Sequence, residues 1–335
     1  MGKRTVRMSD VAARAGFSTN TVSLALRQSS RIPLETRTKI QSAAEELGYF
    51  PNHVAKSLVN RETRTIGLVL TDVMNPVLTH TAQAVELALA ERGYGTLFAT
   101  SNNNFAEESK VIEMFRSRQV DGMLIYPARH RELEHLRPLR RANVPIVLLI
   151  ADPDIGIDGV SVNDRSGGLQ GTRYLIGRGH RRVGFLDASS RNGNNEKLEG
   201  YQQALSDAGI AFDPTLVVKT NGDYSRHGYF ALDTLMSAQS PPTAVIGDND
   251  SIALGALHWC HKHNVRVPQD LAVLGFDNIP YSEFASPPLS TVNYDVEAVS
   301  RMAVDRLMRL INAGDQLPEP RVTMIDPELI IRGST

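Results

Sequence analysis

The chain contains a single cysteine, Cys260, among its 335 residues. An intramolecular disulfide is therefore excluded, which is typical of proteins from reducing compartments. No stretch approaches the roughly 20 consecutive apolar residues that a helix needs to cross a bilayer, and the N-terminus lacks the apolar run of an export signal. We therefore expect a cytoplasmic protein without a membrane span.

An overall excess of charge is also missing, because 36 basic and 37 acidic residues nearly cancel. Residues 1–64 nevertheless contain 11 basic and 5 acidic residues, so this segment carries +6 and the remainder carries −7. A basic segment of this kind is the usual electrostatic signature of a phosphate-binding surface. We expect nucleic acid as its partner.

Motifs for catalysis and for metal binding are scarce. Neither a Gly-x-Ser-x-Gly elbow nor a phosphate-cradling Gly-Lys-Ser/Thr occurs, and Gly177-Arg178-Gly179 precedes a predicted strand instead of following one. His258, His261 and His263 surround Cys260, but they lack the spacing of a zinc site, so a solvated helix face is favoured. The sequence predicts no enzyme activity, no cofactor and no metal.

The N-terminal segment has the spacing of a helix-turn-helix. Ser9 and Ser18 are suited to cap two short helices, and Gly16 is suited to the tight turn between them. A third amphipathic helix is predicted from Glu35 to Leu47. An ordinary small helical bundle has similar spacing, and the basic charge favours DNA binding over it.

From Thr63 onward, apolar runs alternate with amphipathic helical stretches, which predicts parallel sheets covered on both faces. A strand that begins with Ile/Val-Gly occurs at Ile66-Gly67 and again at Val183-Gly184, which predicts two similar α/β lobes. The predicted strands are Ile66–Leu70, Gly95–Ala99, Gly122–Ile125, Ile146–Ile150, Val183–Leu186, Thr215–Val218, Ala244–Ile246 and Ala272–Phe276.

Several short motifs occur in a fixed order: Asp10-Val11-Ala12, Gly16-Phe17-Ser18, Thr21-Val22-Ser23, Glu46-Leu47-Gly48-Tyr49, Pro51-Asn52 and Ala55-Lys56-Ser57-Leu58. This order resembles the LacI/GalR family of bacterial transcription regulators over essentially the whole chain. The resemblance implies an α/β protein with an all-α helix-turn-helix domain and a two-lobed domain like that of periplasmic binding proteins, with parallel sheets.

The resemblance also implies domain boundaries. The helix-turn-helix DNA-binding domain is expected at residues 1–49, a hinge helix and linker at 50–63, and an effector-binding and dimerisation domain at 64–335. Its N-lobe is expected at about 64–163 and 292–324, and its C-lobe at about 164–291 and 325–335. The predicted hinge helix has only about two turns, so we expect it to be marginally stable by itself.

The residues that match operator-binding positions of the family are Ser18, Thr19, Asn20, Thr21, Ser23, Leu24, Arg31, Asn52, Ala55 and Leu58. Asn20 is suited to pair with adenine, and Thr19 and Leu24 are suited to contact a thymine methyl. Many relatives carry Arg where Leu24 stands, so we expect a different operator. Leu58 matches an apolar wedge that enters the minor groove, and the alternative is a buried linker residue.

Ligands of open α/β sheets bind beyond the carboxyl ends of the strands, and polar side chains follow the predicted strands here. The positions that match the family's effector pocket are Asn75, Leu78, Lys197, Tyr224, Asn249, Asp277 and Tyr294. Capping and turn formation are the alternative roles of these polar residues. Sugar-binding relatives often have Asp where Ile150 stands and Arg where Lys197 stands, so two of the side chains that usually bind the sugar are absent here.

The function implied is a ligand-responsive, sequence-specific regulator in the bacterial cytoplasm, associated with the nucleoid and most consistent with a repressor. A homodimer is expected on a pseudo-palindromic double-stranded operator, with a sugar-like effector in the cleft. The dimer surfaces are expected near Thr79–Arg92 and on the helix of Trp259, and no heptad tail follows Ile331. The alternative is a solute-binding receptor without gene regulation, which the lack of an export signal disfavours.

Overall fold

The computed structural model describes residues 6–49, 62–153, 155–189, 193–222, 224–314 and 316–335. The chain separates into two compact units, Met1–Thr63 and Arg64–Thr335. Across the described ranges, no helix combines the length and the apolar character that a membrane span requires.

The described part of the first unit contains three helices, α1 (Met8–Ala15), α2 (Thr19–Leu26) and α3 (Leu34–Leu47). Gly16 and Gly48 end α1 and α3 with φ angles of +77° and +64°, a left-handed backbone that glycine adopts without strain. The helices share a small core of Val11, Ala12, Ala15, Val22, Ala25, Ile40, Ala43 and Ala44. Small residues at this core allow the three short helices to approach closely.

One of the two predicted helix caps is correct. Ser18 caps α2 as predicted, because its Oγ accepts a hydrogen bond from the Thr21 backbone N–H at 3.1 Å. The prediction for Ser9 is wrong, since α1 begins at Met8 with Arg7 as its N-cap residue. The Asp10 carboxylate accepts the Arg7 backbone N–H at 2.8 Å. Asp10 lies in the first turn of α1, and its carboxylate provides the hydrogen-bond acceptor for the backbone N–H at the helix start. The helix therefore starts before Ser9.

The N-lobe contains a six-stranded sheet in which every strand is parallel, in the order β11-β5-β4-β3-β1-β2. These strands are β1 (Thr65–Leu70), β2 (Gly95–Thr100), β3 (Gly122–Ile125), β4 (Ile146–Leu148), β5 (Asp158–Val162) and β11 (Val322–Ile325). The helices α4 (Pro76–Ala90) and α12 (Val296–Ala313) cover one face, and α5 (Phe105–Ser117) and α6 (Arg137–Arg141) cover the other. Both faces are therefore buried, which explains the near-continuous apolar strands.

The C-lobe contains a second six-stranded sheet, in the order β12-β10-β9-β8-β6-β7. These strands are β6 (Val183–Asp187), β7 (Val217–Lys219), β8 (Ala244–Gly247), β9 (Ala272–Asp277), β10 (Ser290–Asn293) and β12 (Glu328–Ile330). Only β12 is antiparallel to its neighbour. The helices of this lobe are α7 (Asp164–Gly177), α8 (Glu196–Asp207), α9 (Ser225–Met236), α10 (Asp250–Lys262) and the short α11 (Pro280–Glu283).

The described chain passes between the lobes at three places, which follow β5, β10 and β11. The predicted fold class, an α/β protein with an all-α N-terminal part, is confirmed. Two predicted strands are wrong in extent. β4 ends at Leu148 instead of Ile150, and β7 begins at Val217 because Pro214–Leu216 forms a 3₁₀ turn. The Asp213 carboxylate caps that turn by accepting the Thr215 N–H at 3.0 Å.

Candidate functional site

The carboxyl ends of strands from both lobes surround one cavity with about 650 Å³ of atom-free space, part of which is open to solvent. This is where open parallel sheets place their ligands. The residues that line it are Thr71, Asn75, Val77, Leu78, Asn103, Tyr126, Asp164, Ala188, Lys197, Asp248, Asn249, Asp277 and Tyr294. The N-lobe and the C-lobe both contribute polar side chains to its wall.

The structure brings together six of the seven residues that the sequence singles out for this site, namely Asn75, Leu78, Lys197, Asn249, Asp277 and Tyr294. Tyr224 is not in the cavity wall. Its hydroxyl instead donates a hydrogen bond to the carboxylate of Asp72, which follows β1 in the other lobe. Sequence reasoning did not select Asp164, Asp248, Asn103 and Tyr126, which also line the cavity.

Two of the asparagines of the cavity wall, Asn75 and Asn249, are also helix caps. The side-chain oxygen of Asn75 accepts the Val77 N–H at 3.0 Å at the start of α4, and that of Asn249 accepts the Ile252 N–H at 2.8 Å at the start of α10. The capping role is therefore real for both residues. It also fixes their side chains at the cavity edge, so the cap positions a polar group there.

Lys197 lies on the first turn of α8, and its side chain forms part of the cavity wall. Its Nζ donates to the backbone oxygen of Asp248 at 2.8 Å and lies 4.0 Å from the ring centre of Phe276. Burial acts to lower the pKa of Lys197, but the nearby carboxylates of Asp248, Asp164 and Asp277 outweigh it and raise the pKa. The side chain is therefore a fixed cation at neutral pH.

Asp277 ends β9 with a φ angle of +112°, which is an unusual backbone conformation for a residue with a side chain. Strain of this kind concentrates at functional sites. Burial raises the pKa of Asp277 well above its ordinary value, and neighbouring carboxylates reinforce the shift, whereas Lys197 opposes it. Ionising the Asp277 carboxyl group therefore costs free energy unless a ligand provides a hydrogen-bond donor or a positive charge.

Tyr294 follows β10 at one of the three passages between the lobes, and its hydroxyl donates to the Leu149 backbone oxygen at 3.3 Å. The cavity wall as a whole contains three carboxyl groups, those of Asp164, Asp248 and Asp277, against the single ammonium of Lys197. This balance opposes an anionic ligand and favours a neutral molecule whose hydroxyl groups donate to the carboxylates.

The histidines near Cys260 do not converge on a metal site. The Cys260 thiol is buried, and burial raises its pKa to about 12. The ring of His263 stacks on Trp259 with centroids 4.0 Å apart, whereas His258 and His261 are exposed. Within the part of the chain that the structure describes, the group of His and carboxylate side chains close enough to share an ion is instead His130, Asp152 and Glu196.

The predicted operator-binding residues of the first unit lie on α2 and on the segments beside it. Ser18, Thr19, Asn20 and Arg31 are exposed, and Thr21, Ser23 and Leu24 are half-buried. Val22 and Ala25 face the core of the unit instead. The α2 helix therefore presents a short polar face, which is the form of a recognition helix. Asn52, Ala55 and Leu58 lie outside the described residues.

Comparisons with known proteins agree with this architecture. Residues 7–52 match the model of the bacterial regulatory proteins of the lacI family, and residues 172–335 match a periplasmic binding protein-like domain. The transcriptional repressor CytR of Escherichia coli strain K12 is 32% identical over 98% of this chain and 96% of its own. The ribose operon repressor of Haemophilus influenzae is 30% identical over 98% of both chains.

Solved structures resemble the whole chain as well. A transcriptional regulator CelR–cellobiose complex is 29% identical, with a TM-score of 0.74 over 98% of this chain and 100% of its own. The lac repressor dimer bound to operator and the anti-inducer ONPF has a TM-score of 0.89 over 99% of both chains at 23% identity, which shows the shared fold.

The lacI-type helix-turn-helix match and the full-length repressors among the relatives show a ligand-responsive, DNA-binding transcription regulator. The relatives that share the full length of this chain are transcriptional repressors. The chain belongs to the lacI family of bacterial regulatory proteins.

Proposed function

We propose that the chain is a repressor that binds a pseudo-palindromic operator as a homodimer, and that a small neutral effector in the interlobe cavity changes its operator affinity. In this proposal residues 1–49 bind DNA, residues 50–63 form the hinge, and residues 64–335 bind the effector and dimerise. The observation that carries it is the cavity wall, because Asn75 of one lobe and Lys197 and Asp277 of the other meet there. A ligand that bridges them favours one angle between the lobes.

The α2 helix is the proposed recognition helix. Asn20 pairs with adenine in the major groove, and Thr19 and Leu24 contact thymine methyl groups. The remaining contacts of the first unit are to phosphates, and they come from Ser18, Thr21, Ser23 and Arg31. The hinge residues Asn52, Ala55 and Leu58 then occupy the minor groove, where Leu58 is inserted between base pairs.

The effector is proposed to be a polyhydroxylated neutral molecule such as a sugar or a nucleoside. The carboxyl groups of the cavity accept hydrogen bonds from hydroxyl groups, and Tyr126 and Tyr294 offer aromatic ring faces. Two similar proteins support this class, since one was solved with cellobiose and another is named a ribose operon repressor.

Exposed apolar side chains support dimerisation through the two expected surfaces. Leu87 of α4 is 54% exposed within Thr79–Arg92, and Phe230 of α9 is 59% exposed beside His258 of α10. Trp259 itself is buried and donates its indole N–H to Asp233 at 2.8 Å, so it supports α10 from within. Apolar patches of this kind mark association surfaces.

The proposal also excludes enzyme activity and places the protein in the bacterial cytoplasm, on the nucleoid. The full-length relatives act as repressors, and a DNA-binding regulator has to meet its operator in the cytoplasm.

A thermal-shift screen of sugars, polyols, nucleosides and nucleobases tests the effector site. A ligand that binds only the folded protein stabilises it, by about 2.7 kcal/mol at 100 times its Kd. Asp277→Asn is the informative variant, because Asn tolerates the positive φ better than Ala does. We expect the shift to disappear in Asp277→Asn.

Asp270→Asn is the matched control, since it removes an exposed carboxylate of the same lobe that is paired with Arg266. The control should keep the full thermal shift. An equal shift in Asp277→Asn and in the wild type would place the ligand elsewhere and contradict the proposed site.

A further inference from the structure

Three side chains outside the cavity wall form a further contact between the lobes, which we call the interlobe triad: His130, Asp152 and Glu196. His130 Nε2 lies 2.6 Å from Asp152 Oδ1. One nitrogen or oxygen atom from each member lies within 4.8 Å of those of the other two. His130 is only 2% exposed, so its ring is held in the protein.

The triad joins the two lobes. His130 follows β3 and Asp152 follows β4, both in the N-lobe, whereas Glu196 is the first residue of α8 in the C-lobe. Three distant segments therefore have to fold before the group exists. This explains why the spacing of histidines and carboxylates along the sequence did not indicate it.

Oxygen atoms of the two carboxyl groups of the triad lie within 4.8 Å of each other, which is unfavourable when both groups are charged. Burial and the neighbouring Asp152 raise the pKa of Glu196 to about 8. The neighbouring carboxylates therefore disfavour the charged form of Glu196. Arg131 Nε donates to the other oxygen of Asp152 at 2.9 Å and leaves Oδ1 facing the triad.

We propose that the interlobe triad is a binding site for a divalent transition-metal ion of the zinc or manganese class, held by His130 Nε2 and by one oxygen each of Asp152 and Glu196. An imidazole with two carboxylates is a ligand set that such ions accept. Tetrahedral zinc ligands at about 2.0–2.2 Å from the ion lie about 3.3–3.6 Å from each other. The 2.6 Å separation of His130 Nε2 and Asp152 Oδ1 is shorter than this, so these two groups have to move apart when the ion binds.

The three side chains bind an ion in their deprotonated forms, so any proton that they hold is released to solvent on binding. With ligands in both lobes, the ion stabilises the observed lobe arrangement. Glu196 is adjacent to Lys197 on α8, so the proposed metal site and the cavity wall share this helix. The proposal requires neither an effector nor an operator, so it stands apart from the function proposed above.

Isothermal titration calorimetry of the full-length, tag-free chain with ZnCl₂ and with MnCl₂, after removal of metals by EDTA, tests the site. We expect one ion per chain, together with a raised melting temperature. Glu196→Gln keeps the size of the side chain and removes the carboxylate, and it should weaken binding at least about tenfold. His130→Asn should have the same effect.

Two variants control for other histidines. His135→Gln removes the contact between His135 and Glu108, a buried pair of the same chemistry that lies within one lobe, and it should leave the ion affinity unchanged. His261→Asn removes one of the exposed histidines of α10 and should also bind normally. Absence of binding at millimolar metal, or binding that survives Glu196→Gln but is lost in His261→Asn, would overturn the proposal.

Discussion

At the scale of single residues, the buried carboxylate of Asp250 organises the turn that carries Asp277. Its Oδ2 accepts the Ile279 backbone N–H at 2.9 Å and the Ser282 hydroxyl at 2.5 Å. Its Oδ1 accepts the Thr291 hydroxyl at 2.5 Å, which ties the start of α10 to β10. These bonds hold the chain just after β9, so Asp250 positions the strained end of that strand from behind.

Asp250→Asn should destabilise the second unit by about 2–4 kcal/mol, because an amide nitrogen cannot accept the bonds that one carboxylate oxygen accepts now. Urea denaturation at pH 7 measures the loss. Asp270→Asn is the control, since that exposed carboxylate pairs with Arg266 on the surface and its removal should change the midpoint little. Equal midpoints for the wild type and Asp250→Asn would contradict this role.

The same residue gives the stability a defined pH dependence. Burial raises the pKa of Asp250 to about 6, against an ordinary value of 3.8. The folded protein therefore binds this proton more tightly than the unfolded chain, so the contribution of Asp250 to stability falls as the pH rises from about 4 to about 6. Denaturation between pH 4 and pH 7 should show this step in the wild type, and it should be absent in Asp250→Asn.

Half of the polar residues that line the cavity were accessible from the sequence, and several of these lie at or just after the ends of strands with clear apolar patterns. Asn75, Asn249 and Asp277 are of this kind. Asp164 was not, since it starts α7 after β5, a strand that the sequence does not reveal. The positive φ angle of Asp277 is likewise a property of the folded turn, and the residue type alone does not indicate it.

At the scale of elements, α7 and α8 contact each other through their backbones. A Cβ atom added at Gly168 would lie 2.2 Å from the Lys197 carbonyl oxygen, and one added at Gly200 would lie 2.1 Å from the Arg165 carbonyl oxygen. Such distances are impossible for real side chains, so two glycines set the separation of the helices. The position of α8 in turn sets the positions of Lys197 and Glu196.

Gly168→Ala should push α8 away from α7, lower the stability by about 1–3 kcal/mol and weaken effector binding. Chemical denaturation and ligand titration measure the two effects. Gly177→Ala lies on the same helix, but its added methyl group would meet nothing within 4 Å. This control should be neutral or slightly stabilising, because Ala favours a helix over Gly by up to about 1 kcal/mol. Similar losses in both variants would refute the packing argument.

The long helices and the central strands are predictable because their patterns are strong, whereas β5 and the edge strand β11 beside it are not. β5 has the sequence Asp158-Gly159-Val160-Ser161-Val162, yet every residue of it is buried. Its charged member depends on distant partners, since the Asp158 carboxylate accepts bonds from Arg306 and from the Arg321 backbone. Such long-range compensation leaves no local signal.

In the whole molecule, we expect operator binding to depend on the hinge as well as on α2. Leu58→Ala should reduce affinity for a specific operator on the order of tenfold or more, because only the kinked specific complex uses the wedge. Binding to non-specific DNA of equal length should change little. Gel-shift titrations at fixed salt measure both, and equal losses on the two DNAs would exclude a wedge at Leu58.

The central claim is that occupancy of the interlobe cavity changes operator affinity. The most direct test is fluorescence anisotropy of an operator selected from a randomised duplex pool, titrated with the full-length chain at fixed salt, with and without the ligand found in the thermal-shift screen. We expect a pseudo-palindromic operator and a ligand-dependent change in Kd of about 5–150-fold. Asp277→Asn should bind the operator but lose that change. A ligand that binds the wild-type cavity and leaves the operator Kd unchanged would contradict the account.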